Sequence, residues 1–358
     1  MLILSGSIGQ GHATVAEVCA GALALEGAVA VVDCIDLLGP LSSRVADRIY
    51  RASISWPALY DGFHFAHLRA QGRFATGGDA QAVRRILRAL DRRELGGAVD
   101  LSFAVFATGA PVAAALARRR PGAKAVVFCT DATAHSKWAV EGIDLFIVTS
   151  DLAAASLRRY LPRAEVALVP PPVRAAFYEA PSQQEARRRY GIPFNESCVL
   201  LVSGGWGLGP LAAAARALAA AGHYVMAASG SNARLKAELD RASWSCERII
   251  SLGYCQEMPA AMAAADVVVS GSGQTCNEVH AVGRRLVVLD VVPGHGRENL
   301  LHEVITTPAV PASPIASSIV GAVETALKGP EARQPWPVST AEEWNERLRL
   351  ALSPLGVL

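Results

Sequence analysis

The chain of 358 residues lacks an excess of either charge: 34 Lys and Arg face 32 Asp and Glu, a formal net charge of +2. Without a basic surplus or a dense Lys/Arg tract there is no electrostatic footprint for a nucleic-acid backbone, and no nucleic-acid partner is expected. The arginines that do cluster, Arg118 to Arg120 and Arg158 with Arg159, read as solvated helix ends, where cations complement the helix dipole. No uninterrupted apolar run reaches the ~18 to 20 residues that span a bilayer. The opening residues also lack the basic stretch and cleavage site of a signal peptide. Membrane contact is therefore expected to be peripheral at most. The seven cysteines are odd in number and form no C-x-x-C pair, so neither a disulfide framework nor a zinc site is predicted and a reducing cytoplasm fits.

What is present is apolar. Hydrophobic residues make up 51% of the chain and charged residues 18%, enough to cover buried sheets and too little polarity for long disorder. The length exceeds what one ordinary core organises and predicts two lobes. In the first half, the short runs "MLILS", "AVAVVD", "LSFAVFAT", "AKAVVFCT", "DLFIVTS" and "EVALVP" alternate with Ala- and Leu-rich helical stretches. Continuous apolar strands separated by helices predict a parallel sheet covered on both faces, an α/β doubly wound lobe. Prolines in "VPPPVRAAFYEAPSQQEARRRYGIP" remove amide donors and favour extended geometry, so this stretch is read as an interdomain linker crossed by neither helix nor strand. The pattern resumes with "SCVLLVSGG", "YVMAASG", "ERIISLG", "DVVVSGSG" and "RLVVLDVVP", a second α/β lobe. The boundaries expected are residues 1–170, a linker at 171–195, a second lobe at 196–335, and a last helix within 336–358, capped by Ser339 or Thr340, that packs back on the first lobe.

Ligands of open α/β sheets bind beyond the carboxyl ends of the strands, where glycine loops lead into helix N-termini. Two such loops stand out. "SGSIGQGH" holds Gly6, Gly9 and Gly11 in the order G-x-x-G-x-G, which is not the dinucleotide fingerprint and lacks the Lys and Ser/Thr of a P-loop. It ends on His12, which is either a helix-cap histidine or an imidazole presented to a substrate hydroxyl. "SGGWGLGP" holds Gly204, Gly205, Gly207 and Gly209 ahead of Pro210, a tight turn or a seat for a diphosphate.

Further along, the chain carries a G-[FY]-x-x-x-M run at Gly253 to Met258, an A-x-A-D strand entry, a T-x-x-E helix start at Thr275 to Glu278, and a P-G-x-x-x-x-N loop at Pro293 to Asn299. This combination resembles the nucleotide-sugar half of family 28 glycosyltransferases. The first half is similar to the diacylglycerol glycosyltransferases of that family: "SGSIGQGHATVAEV", "IYRASISWPALYDGFHF", "TDATAHSKWAVEGIDLFIVTS" and "VPPPVRAAFY" match their corresponding segments. The resemblance runs from Met1 to about Leu301 and implies a GT-B fold, two Rossmann-like lobes facing across a cleft. It further implies an inverting, metal-independent transfer of a sugar from a nucleoside diphosphate donor, most readily UDP-linked, to an acceptor hydroxyl. The chain would then need a base for the acceptor and stabilisation of the departing diphosphate.

By the same resemblance His12 is the candidate base, or a polariser of the acceptor, with Asp131 orienting it or competing for the role and His135 a third candidate. Trp138 is an acceptor wall or a core aromatic, and Gly9 and Gly11 belong to the acceptor loop. On the donor side Glu278 would hold the ribose hydroxyls, a task suited to a carboxylate that accepts two bonds. Thr275 would cap its helix, and Tyr254 and Met258 would wall the base. Gly204, Gly205, Gly207, Gly209, Ser272 and Gly273 would meet the diphosphate, and His295, Arg297 and Asn299 the sugar. No metal and no cofactor is implied, since amide dipoles can meet the leaving charge and no D-x-D pair occurs. The chain departs from the family where Ser231, followed by Asn232, stands for the usual Arg in a "GSN" stretch, and where Ser270 or Gly271 stands for a cation ahead of the T-x-x-E helix. "PGHGRENL" also replaces the usual Gln-containing loop, so the sugar does not carry over. The acceptor is a diacylglycerol-like lipid or a specialised metabolite, the location cytoplasmic or at the inner membrane face. A nucleotide-sugar 2-epimerase and a non-catalytic nucleotide-sugar-binding subunit remain as alternatives.

Overall fold

The structure, a computed structural model, describes residues 1–6, 11–39, 60–62, 64–65, 76–97, 99–202, 204–205, 207–330 and 335–357. Contacts divide the chain into two units. One comprises Met1–Pro172, Pro293–His295 and Thr340–Leu358; the other comprises Val173–Val292 and Gly296–Ser339.

The first unit is built on strands β1 (Leu2–Ser5), β2 (Ala30–Asp33), β3 (Leu101–Ala104), β4 (Lys124–Cys129), β5 (Leu145–Val148) and β6 (Val166–Leu168). They form one parallel sheet in the order β2-β1-β3-β4-β5-β6. Every residue of β1, β3 and β5 is buried, as expected of central strands covered on both faces. The connecting helices are α1 (Gly11–Leu23), α2 (Cys34–Leu37), α3 (Thr76–Arg92), α4 (Ala110–Ala117) and α5 (Asp151–Arg158). Local chemistry starts two of them: Asp33 Oδ1 accepts from Ile35 N at 2.7 Å ahead of α2, and Ser150 Oγ from Ala153 N at 3.1 Å ahead of α5. The sheet order reverses between β1 and β3, the topological switch point of this unit.

The second unit repeats the plan with β7 (Cys198–Leu201), β8 (Tyr224–Ala228), β9 (Ile249–Gly253), β10 (Val267–Gly271), β11 (Arg285–Leu289) and β12 (Val310–Ala312). Their order, read from β9 as β9-β8-β7-β10-β11-β12, is the doubly wound order of dinucleotide-binding sheets, with its switch point between β7 and β10. The helices are α6 (Ala175–Tyr178), α7 (Gln183–Tyr190), α8 (Leu211–Ala220), α9 (Ala233–Ser245), α10 (Met258–Ala264), α11 (Gln274–Val282), α12 (His295–Thr306) and α13 (Ala316–Lys328). Here the reading of residues 171–195 as free of helix is corrected. Pro170 to Pro172 carry none, but α6 and α7 follow, the latter capped by Ser182 and closed by Gly191 in the left-handed region at φ 66°. What anchors α7 is buried Arg187, whose Nη2 donates to Asp266 Oδ2 at 2.6 Å and whose Nε donates to Ala264 O at 3.0 Å. The seven cysteines are all free thiols. No described helix is long and apolar enough to cross a membrane.

The last helix, α14 (Ala341–Leu352), belongs to the first unit and is capped by Thr340. Its Trp344 is wholly buried, stacks on Phe128 of β4 with ring centroids 6.5 Å apart, and donates from Nε1 to Pro170 O at 2.8 Å. Truncating so large a buried side chain opens a cavity and strands that carbonyl. Trp344→Ala is therefore expected to destabilise the protein by about 3 to 5 kcal/mol, read by urea denaturation.

Candidate active site

The β1 loop enters α1 at the switch point of the first sheet, and His12 is the second residue of that helix. Ser7 to Gln10, and with them Gly9, lie outside the described residues; Gly11 opens the helix. His12 Nδ1 lies 3.0 Å from the carbonyl oxygen of Val105, just beyond β3. A carbonyl only accepts, so Nδ1 carries the proton and Nε2 carries the lone pair. Burial lowers the His12 pKa, against opposing effects of the Asp131 carboxylate and the Val105 carbonyl, so the ring is neutral at physiological pH. The Phe106 ring packs edge-on against His12 at 5.0 Å. That ring also explains Gly6, where a Cβ would run into it.

Asp131 follows β4 and is 8% exposed. It accepts from Trp138 Nε1 at 2.7 Å, and His135 Nε2 stands 3.6 Å from the same oxygen. Burial alone would raise its pKa. The nearby imidazoles of His295 and His135, the Trp138 bond and His12 outweigh that and hold it below the usual carboxylate range. His135 is oriented the opposite way to His12: Lys137 N donates to its Nδ1 at 3.3 Å, so the proton sits on Nε2, toward Asp131. Of the two imidazoles, His12 is the one whose geometry leaves a lone pair for an incoming proton. Trp138 is 1% exposed within the core and reaches the site by its bond to Asp131, the core-aromatic alternative of the two expected for it. His295, expected among the donor-side residues, belongs by its contacts to the first unit: Tyr60 Oη lies 3.4 Å from its Nδ1 and its ring is 6.2 Å from that of His64. Tyr60 and His64 fall in the aromatic segment quoted above but were not singled out in it. Their chemistry is visible only once the chain is folded.

In the second unit the glycine loops that follow β7 and β8 meet, the first of them beside the β7/β10 switch point. Gly204, Gly207 and Gly209 all have φ between 58° and 88°, a region that favours glycine. The β7 and β8 loops approach backbone to backbone: a Cβ at Gly207 would lie 2.6 Å from Ser229 O. Ser231, at the position where the family carries Arg, donates from both its amide and its hydroxyl to Gly205 O, at 2.8 and 2.7 Å. It ties the two loops together. Asn232 caps α9 through Leu235 N at 3.0 Å.

At the end of β10 the cap position of α11 is held by Gly273, with no capping side chain. The expectation that Thr275 caps this helix is thus corrected: Thr275 lies inside the first turn, because the helix already begins at Gln274. Ser272 Oγ donates to Gly296 O at 2.6 Å. Glu278 stands beyond the first turn and is 5% exposed. Its Oε1 accepts from Arg174 Nη2 at 2.8 Å and Nε at 3.3 Å. Burial raises its pKa, with Arg174 opposing. Tyr254 is 60% exposed beyond β9, and Met258 opens α10 against the core. Arg297 is paired with Asp290 at 3.0 Å, and Asn299 lies on α12. Among the described residues no group of three or more His, Cys, Asp or Glu is placed to hold a metal ion. Sequence reading missed Arg174, although it stands inside a quoted segment; a lone cation directly after three prolines and a valine was the available signal.

Residues 210–300 match the model of the glycosyltransferase family 28 C-terminal domain, and the fold is the GT-B one of two doubly wound units. A probable chloroplastic monogalactosyldiacylglycerol synthase of Glycine max is 26% identical over 193 residues, covering 49% of this chain and 36% of that protein. The UDP-N-acetylglucosamine–N-acetylmuramyl-(pentapeptide) pyrophosphoryl-undecaprenol N-acetylglucosamine transferase of Mycobacterium tuberculosis is 36% identical over 148 residues, 39% of this chain and 35% of that protein. The matched region thus spans about a third of the length of these relatives. Among solved structures, MurG of Acinetobacter baumannii superposes with a TM-score of 0.58 at 15% identity, over 100% of this chain and 98% of its own.

The imidazoles of His295 and His135, and after them the Trp138 bond, depress the Asp131 pKa, so the bond's contribution to stability is present above the unfolded value of about 3.9 and is lost as pH falls through the lower folded value. Trp138→Phe is expected to cost roughly 1.5 to 3 kcal/mol at neutral pH, with the difference from the unsubstituted protein shrinking in acid, measured by urea denaturation across that range.

Proposed function

We propose that the protein is an inverting, metal-independent glycosyltransferase that moves a sugar from a nucleoside diphosphate donor, UDP-linked, to an acceptor hydroxyl. The observation that carries this reading is His12: a neutral imidazole at a switch point, its Nδ1 proton committed to Val105 O and its Nε2 lone pair facing no described partner. In the proposed step Nε2 takes the acceptor hydroxyl proton as that oxygen bonds to the anomeric carbon. The bond from that carbon to the diphosphate oxygen breaks on the opposite face, inverting the centre. Asp131 would stabilise the imidazolium that forms, much as a buried carboxylate does in a hydrolase triad. The amides at the uncapped start of α11 and in the glycine loop would take up the charge of the leaving diphosphate, while Glu278 accepts from the ribose hydroxyls. The domain match over residues 210–300 and the UDP-N-acetylglucosamine named for the mycobacterial relative support the donor side.

For the acceptor we favour a lipid hydroxyl over a soluble metabolite, since both relatives are named for lipid-linked substrates. Work at the cytoplasmic membrane face agrees with the exposed apolar pair Leu301 and Ile305, 59% and 79% exposed one turn apart on α12.

His12→Ala is expected to lower transfer by roughly two to four orders of magnitude with UDP binding intact, whereas Glu278→Ala loses UDP binding. A panel of nucleotide sugars, scored by thermal shift and by product formation, reads both. A sugar nucleotide altered without acceptor would point to an epimerase, and binding without turnover of any pair to a carrier subunit. Sedimentation with anionic vesicles is expected for the unsubstituted protein and is expected to weaken for Ile305→Glu.

A further inference from the structure

Glu278 is held asymmetrically. Both bonds from Arg174 end on Oε1, and no described residue donates to Oε2. Arg174 is itself fixed from below, its guanidinium carbon 4.8 Å from the ring centroid of Phe177, which is 1% exposed. The pair spans 104 residues of sequence, joining the start of α6 to the middle of α11. An ionised carboxylate this deeply buried needs a partner, and the Arg174 cation is the one the fold supplies.

We propose that Arg174 is a positioning residue for the nucleotide: by gripping Oε1 of Glu278 it fixes the carboxylate and presents Oε2 to the vicinal hydroxyls of a ribose. This rests on the reading of Glu278 given above. An ionised carboxylate oxygen can accept from both hydroxyls at once; a protonated Glu278 would lose an acceptor site and turn one oxygen into a donor. Arg174 opposes that protonation, and no other charged group among the described residues does so. On α11 itself Cys276 is a buried thiol and His280 is bonded through Nε2 to Glu303 of α12 at 2.5 Å. Strand β10 and helix α10 bring no charged side chain, and Arg285 of β11 donates to Gly329 O.

The test uses the full chain with Arg174→Met and Arg174→Lys, UDP as probe, and calorimetric titration between about pH 5.5 and about pH 8.5. With Arg174→Met, UDP binding is expected to weaken by roughly tenfold or more at the acid end and to recover toward the alkaline end as Glu278 ionises; Arg174→Lys restores the flat profile of the unsubstituted protein. A second readout needs no nucleotide. Losing the cation raises the folded pKa of Glu278 further above its unfolded value, so the folded state binds the extra proton and the melting temperature of Arg174→Met falls as pH rises. A loss of UDP affinity equal at every pH, or no rescue by lysine, overturns the inference and leaves the donor reading standing. Failure of the unsubstituted protein to bind UDP removes the donor reading, and the inference with it.

Discussion

A carboxylate moved out of water costs several kcal/mol unless other groups replace its hydration, and the chain buries one of functional interest in each of its two units. Asp131 is kept ionised by an indole N–H and a set of imidazoles. Glu278 is kept by a single guanidinium. The difference in partners matches the difference in the tasks proposed for them. Imidazoles can gain or lose a proton near neutrality, so the surroundings of Asp131 suit proton movement, whereas a guanidinium stays charged at any working pH and suits static recognition.

The sheets were legible from sequence because their strands are continuous apolar runs bounded by glycine and polar residues, the mark of a parallel sheet covered on both faces. Strand β12 was not, since Val310–Ala312 is three residues long with a proline in the middle, tolerated only because the strand lies at the sheet edge. Helices α6 and α7 were missed for a related reason. The prolines ahead of them argue locally for extended chain, while what holds α7 in place is Arg187 reaching Asp266, which is 79 residues distant and invisible to any window.

The candidate site divides along the same line. His12 was legible because a histidine ending a glycine loop is a local oddity, and its neutral tautomer follows from a carbonyl 93 residues away. Thr275 was misplaced as a cap because the T-x-x-E spacing imitates a capping box, whereas the backbone of Gly273 already turns into the helix. Ser231 looked like a lost cation; in the fold it gives both its donors to one carbonyl and so holds two phosphate-type loops at a fixed spacing.

The chain leaves the first unit after Pro172 and, apart from Pro293–His295, returns to it only at Thr340, so the second unit is in effect an insertion within the first. During synthesis the nascent first sheet must therefore wait, with the face beside Phe128 uncovered, until the whole of the inserted unit has emerged and Trp344 arrives to close it. The order of assembly on the ribosome is thus inverted relative to the order of the units: the part begun first is the part completed last.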